Sequence, residues 1–227
     1  MASRLAVIIP TLDEAERIRA SLEALAPLRA KGHEVIVVDG GSSDSTIERA
    51  RPLVDQVLSS ARGRAMQMNA GARAARAETL VFLHADTRLP ALADALIINA
   101  LRVYAWGRFD VQIEGAHPLL GLVACAMNLR SRLTGIATGD QAIFVRREVF
   151  EHLGGYAEID LCEDVDFVRR LRRTGRFVCL RSRVTTSARR WRRAGLVRTI
   201  LRMWLIKTLF LAGVSPAWLK RRYADVR

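Results

Sequence analysis

Four acidic positions stand out in a strongly basic chain: Asp13-Glu14, Asp39, His84-Ala85-Asp86 and Glu163-Asp164. Three follow apolar runs and the fourth follows a Gly-Gly turn by a few residues. Carboxylates gathered at strand ends can divide a reaction among themselves. One can accept from a base N–H, one can hold a divalent cation that bridges a diphosphate, and one can take a proton from an attacking hydroxyl. Each also has a structural reading. Asp86 and Glu163 can cap helices, and Asp164 suits a helix N-terminus. His84 can be a core histidine bonded to backbone. Asp140 can form a turn, and Trp191 can be a packing aromatic.

The elements that must position these residues follow from periodicity. Residues 5–9, 34–38 and 79–83 are apolar runs that read as buried strands, and residues 56–58 read as a short edge strand. Ile18, Leu22 and Leu25 keep helical spacing after Pro10, and residues 45–51 form a second helix behind the turn at 40–44. Residues 63–76 predict a helix rich in small side chains, suited to close packing on a sheet. Strands alternating with helices at this rhythm predict a doubly wound, mostly parallel α/β sheet, with ligands at its strand ends. A helix is expected from Pro90 to about Tyr104. Residues 108–114 alternate polar and apolar, which predicts an antiparallel, half-exposed strand. Helices are expected at 119–133, 148–153 and 163–173, strands at 142–145 and 177–180, a long helical stretch at 190–211, and a basic tail from Pro216.

The chain has 227 residues, a net charge of +13 and an apolar half. Disorder is excluded, and phosphate-bearing ligands, anionic membranes or nucleic acid become the natural partners. The codon bias of a GC-rich genome, which favours Arg and Ala over Lys, is an alternative source of part of the same excess. Three widely spaced cysteines lack metal-ligand spacing and suit a reduced cytoplasmic setting. No run is long enough to read as a secretory signal or a membrane span.

The motifs, taken together, resemble family 2 glycosyltransferases. Val7-Ile8-Ile9-Pro10-Thr11-Leu12-Asp13-Glu14 resembles their opening segment, and Val37-Val38-Asp39-Gly40-Gly41-Ser42-Ser43-Asp44 their second. Asn69 and Gly71 fit their following helix. Phe82-Leu83-His84-Ala85-Asp86 stands where they carry Asp-x-Asp, with His84 in place of the first Asp. Gly154-Gly155-Tyr156 and Glu163-Asp164 match their Gly-Gly and Glu-Asp segments. Ala188-Arg189-Arg190-Trp191 is similar to their Gln-x-x-Arg-Trp motif, with Ser187 where the Gln would be; this favours a single-transfer enzyme. The set also resembles a small bacterial subgroup found near radical-enzyme genes. The order holds over residues 5–175.

The resemblance implies a GT-A-like mixed sheet over residues 1–190, and the spacing of cations and apolar residues reads as an amphipathic basic helical segment over 191–227. It implies inverting transfer from a nucleotide-diphosphate sugar, UDP-linked by the family's pattern, to an acceptor hydroxyl, with Mg²⁺ or Mn²⁺. Thr11, Glu14 and Asp39 would hold base and ribose, and Arg64 the diphosphate. Asp86 and His84, flanking Ala85, would hold the metal, and Asp164 would be the general base. Gly139, Asp140, Glu163, Arg190 and Trp191 would shape the acceptor and leaving-group sides.

In the C-terminal segment, Arg198, Arg202 and Lys207 lie near one helical face and Leu196, Ile200, Met203, Trp204 and Leu211 largely elsewhere. That pattern, with Lys220-Arg221-Arg222, predicts peripheral contact with an anionic membrane surface, placing the protein on the inner face of the cytoplasmic membrane. The alternative is packing on the catalytic domain or on a second copy in a homo-oligomer. A sugar-1-phosphate nucleotidyltransferase would want a Gly-rich basic loop after the first strand, and Pro10-Thr11-Leu12-Asp13 is not one. A non-enzymatic basic module would explain the charge but not the ordered carboxylates; no specific nucleic-acid partner is expected.

Overall fold

Seven consecutive buried residues make strand β1, Leu5–Thr11. The strand is covered on both faces, which is why it is continuously apolar rather than alternating. The structure, a computed structural model, describes residues 4–115, 117–189 and 195–222. Beside β1 lie β2 (Glu34–Asp39) and β4 (Thr79–Phe82), both parallel to it, and β3 (Gln56–Ser59) lies parallel to β2. The sheet continues through β7 (Ile143–Arg146), β6 (Trp106–Glu114), β8 (Phe177–Ser187) and β5 (Thr87–Arg88), in the order β3-β2-β1-β4-β7-β6-β8-β5.

Successive side chains of β1 enter opposite halves of the core. Leu5, Val7 and Ile9 join one cluster with Ile18 and Leu22 of α1 (Ile18–Glu23) and Ile97 of α5 (Ala93–Leu101). Ala6 and Ile8 join the other with Ala65 and Met68 of α4 (Arg64–Ala74) and Phe167 of α8 (Glu163–Leu171). Short helices α2 (Ala26–Ala30), α3 (Thr46–Ala50) and α7 (Arg147–His152) complete the layers with α6 (Pro118–Thr134). The small residues of α4 permit close approach. A Cβ at Gly71 would lie 2.4 Å from Cγ2 of Ile8, so α4 sits directly on β1. Asn69 of α4 exchanges two backbone bonds of 2.9 Å with Tyr156, which ties the Gly154-Gly155-Tyr156 turn to the first half of the sheet.

The second half departs from the sequence expectations in four places. Strand β6 pairs antiparallel with β7 over two residues only and runs parallel to β8 over its whole length. It is not half-exposed: Arg108 is fully buried and Asp110 nearly so. Helix α6 covers that face, and Arg108 is neutralised by an ion pair with Asp110 and a bond to the Asn128 carbonyl. Alternation therefore marked a charged seam under a helix rather than a solvent face. Strand β8 runs on to Ser187, past the expected end at Leu180, because β6 and β5 supply partners on both sides. Helix α5 starts at Ala93, after Leu92 in the left-handed region, and not at Pro90. Asp86 is thus no helix cap but precedes the two-residue β5. Finally, Pro216 opens a helix and not a tail.

That helix, α10 (Pro216–Arg222), follows α9 (Leu196–Leu211). Leu219 is fully buried, and Lys220 bonds Asp160 at 2.7 Å, so the segment is docked beside the start of α8. No described helix is long and apolar enough to cross a membrane.

Candidate functional site

The carboxyl ends of β1, β4 and β8 and the start of α4 surround one cleft of about 340 Å³, lined among others by Thr11, Glu14, Arg64, His84, Ala85, Asp86 and Asp140. Parallel strands point their carboxyl ends, and hence the following loops, to a common edge of the sheet. Most of the sequence-predicted site residues therefore meet there.

Thr11 ends β1 and is buried; its carbonyl accepts from the Gly40 N–H at 3.0 Å and from Gln67 at 2.7 Å. Gln67 also reaches the Val38 carbonyl at 2.8 Å, clamping the ends of β1 and β2 together. Glu14 meets Arg189 in a two-pronged ion pair of 3.0 and 2.5 Å.

Asp39 does not line the cleft. It is buried, and its carboxylate accepts the N–H groups of Gly41 and Ser42 at 2.9 Å and the Ser42 hydroxyl at 2.5 Å. Its oxygens hold the 40–44 turn in place, and any contact with a base requires that turn to give up a bond.

His84 Nδ1 lies 3.1 Å from the Asp140 carboxylate. Its other ring nitrogen faces Gly139, where a Cβ would come within 2.3 Å of it. The ring is packed into the Gly139–Gln141 turn. Asp86 is less committed: its carboxylate draws one long bond of 3.5 Å from Thr87.

Asp164 accepts from the Gly139 N–H at 2.8 Å and from the Val165 N–H at 2.7 Å. Gly139 thus connects the base candidate to the His84–Asp140 pair. Glu163 is buried at the start of α8; burial and the adjacent Asp164 raise its carboxyl, and Arg64 opposes only in part. Burial works to lower the Arg64 guanidinium, yet Glu163, Asp140, Asp164 and Asp86 outweigh it and hold the charge in place. One arginine therefore sits at the hub of four carboxylates. Arg190 and Trp191 lie outside the described residues.

Sequence reasoning missed Gln67, Arg189, Arg62 and Met127, which also line the cleft. Gln67 stands one helical turn after Arg64, so the spacing signal was there. Arg189 belongs to the basic Trp-containing motif, but the neighbouring Arg190 and Trp191 drew the assignment.

Residues 6–104 match the model of glycosyl transferase family 2. No curated protein sequence matches the chain. Among solved structures, the chain is similar to the mannosyltransferase PcManGT of Pyrobaculum calidifontis, solved with GDP-Man and Mn²⁺. The identity is 22%, the TM-score 0.67, and the match covers 91% of this chain and 61% of that one. It is similar to Staphylococcus aureus TarS 1–349 with UDP-GlcNAc at 20% identity and a TM-score of 0.65, over 82% and 59% of the two chains. Glucosyl-3-phosphoglycerate synthase of Mycobacterium tuberculosis, solved with Mn²⁺, UDP and phosphoglyceric acid, matches at 19% identity and a TM-score of 0.61, over 82% and 70%. The chain spans about three fifths of the length of the first two structures. The match to the family model thus spans residues 6–104, and the fold of the chain is that of these glycosyltransferase structures.

Proposed function

We propose that the chain transfers a sugar from a nucleotide-diphosphate sugar to an acceptor hydroxyl with inversion at the anomeric carbon. One observation carries the reading. A single cleft at the strand ends brings together an open carboxylate, Asp86, and Arg64, which lies within electrostatic reach of Asp164. The ligands of the structural neighbours, GDP-Man, UDP-GlcNAc and UDP, support a donor of this class.

In the reaction, Asp164 accepts the acceptor's proton as the hydroxyl oxygen bonds to the anomeric carbon. The bond from that carbon to the diphosphate oxygen breaks, and the nucleoside diphosphate leaves. Two backbone N–H bonds fix the Asp164 carboxylate and leave lone pairs for the incoming proton. Arg64 is placed to pair with the diphosphate. Gln67 and the Asp39 turn hold the β1 and β2 ends at a fixed separation beneath the donor.

The residues fit a divalent cation of a particular kind. Among the described residues no cluster of three or more His, Cys, Asp or Glu side chains could hold one alone. Mg²⁺ and Mn²⁺ are suited by one or two carboxylates plus substrate phosphates, and Asp86 offers such a carboxylate. His84 is committed to Asp140, so its part is to position that turn. When bound, the cation would offset the charge of the departing diphosphate.

Donor hydrolysis without acceptor tests the proposal. Proton NMR should show the inverted free sugar as the first product, and Asp164→Asn should slow its release about 10²- to 10⁴-fold. Initial release of the retained anomer, or full activity in Asp164→Asn, contradicts it.

The same reading extends to a membrane-interfacial location. Helix α9 exposes Leu201, Trp204, Leu205 and Leu211, and α10 exposes Trp218 beside Arg221 and Arg222. An apolar face flanked by cations suits an anionic bilayer surface. Flotation with anionic vesicles should fall when Leu201 and Trp204 are both changed to Glu. Unchanged flotation with loss of a dimer in the same variant would assign the face to a second copy instead.

A further inference from the structure

Helix α9 had one face assigned to headgroups, yet Lys207 on that face turns inward. It lies two turns after the buried Thr199, on the same side of the helix. Its ammonium is within electrostatic reach of Asp164, Asp140 and Arg130. Arg130 comes from α6, one turn after the cleft-lining Met127. One of its terminal nitrogens is buried and has no hydrogen-bond partner. Two helices far apart in sequence thus bring two cations together beside the base candidate.

Among the described residues the surrounding carboxylates act on the pair through space and make no ion pair with it. Asp110 is shared between Arg108 on one oxygen and Arg132 on the other, at 2.6 Å for the latter. Both Asp164 oxygens accept backbone N–H groups, and Asp140 is paired with His84. Among the described residues Lys207 makes no ion pair. Burial outweighs those carboxylates and holds both cations below their usual range, so an anion that bonded the unpartnered donor directly would be favoured there. The donor end of the cleft is separately equipped. Arg189 interacts there with Glu14 and Asp86. Lys207 and Arg130 are both within electrostatic reach of Asp164.

We propose that Arg130 and Lys207 form an anion subsite for the acceptor, so that the attacking hydroxyl belongs to a molecule carrying a phosphate monoester. This rests on the donor reading above and adds the acceptor's chemical class. A planar guanidinium and a mobile ammonium together match the oxygens of one phosphate. Bound there, the phosphate would hold a hydroxyl on the same molecule beside Asp164.

The test uses the full chain and calorimetric titration at constant ionic strength. Nucleoside diphosphate with Mn²⁺ is titrated first, which decides the donor reading on its own. Glycerol 3-phosphate and glycerol follow as matched probes, with lysophosphatidic acid as the lipid-borne form of the same group. The phosphate should bind and glycerol should not. Lys207→Gln and Arg130→Gln should each weaken the phosphate about tenfold or more. Lys207→Arg should recover most of the affinity, and Arg173→Gln, an equal charge loss elsewhere, should change nothing. Tighter binding of the lipid than of glycerol 3-phosphate would make the source membrane-borne, and equal binding would make it soluble. Protein that binds nucleoside diphosphate but binds glycerol 3-phosphate equally in wild type, Lys207→Gln and Arg130→Gln overturns the subsite and leaves the donor reading standing.

Discussion

Arg189, at the end of β8, holds Glu14, in the loop after β1, by two charge-assisted bonds across 175 residues of sequence. The bond to Glu14 outweighs burial and keeps the guanidinium firmly charged. A second link runs beside it, from Arg17 to the Ser187 hydroxyl at 2.7 Å. The last strand in the sequence is thereby fastened to the loop of the first, and both line the cleft.

This pairing makes opposite predictions for its two members. Arg189→Gln leaves Glu14 as an uncompensated anion facing the donor's phosphates, and nucleoside diphosphate affinity should fall about tenfold. Glu14→Gln frees Arg189 for the phosphates, and affinity should hold or improve. Calorimetry with UDP and GDP in the presence of Mn²⁺ reads both. Equal losses in the two variants would contradict this division of roles.

Gly139→Ala puts a methyl within 2.3 Å of the His84 ring and beside the N–H that Asp164 accepts. Overpacking of this kind costs about 1–3 kcal/mol. Denaturant unfolding should show that loss, and donor hydrolysis should slow further than the loss of folded protein explains. Wild-type turnover would show that the His84–Gly139–Asp164 contact does not position the base.

The cysteines give a pH prediction. Burial, with Asp164 and Glu163 nearby, pushes the Cys162 thiol up to about 12. Cys125 is exposed. Only the thiolate reacts, so iodoacetamide at pH 8 should label Cys125 and spare Cys162 until the protein unfolds. The folded value lies above the unfolded one. Its contribution to stability is therefore complete below the unfolded thiol value and declines as pH rises beyond it. Cys162→Ala should flatten that alkaline decline, and an unchanged alkaline limb would contradict the shift.

The parallel half of the fold was legible because β1, β2 and β4 are closed apolar runs, although β1 runs on through Pro10 to Thr11. The β6 seam was not legible. Burial of Arg108 depends on Asp110 and α6, partners that sequence spacing does not reveal. Asp39 was found, but its bonds to its own turn were not, because a turn-holding carboxylate and a ligand-binding one have the same sequence. Arg130 and Lys207 escaped because each reads alone as an ordinary surface cation. Only the folded chain brings Lys207 of α9 within electrostatic reach of Arg130 of α6.

The central claim, a nucleotide-diphosphate donor held with a divalent cation at Asp86, is tested most directly by thermal unfolding. Wild type and Asp86→Asn are compared across UDP- and GDP-sugars, each with and without Mn²⁺. At about 100-fold excess over the dissociation constant, binding should raise the wild-type Tm by about 5–10 °C. The account predicts this shift for at least one donor, dependent on Mn²⁺ and abolished in Asp86→Asn. No shift with any donor, or an equal shift in Asp86→Asn, would contradict it.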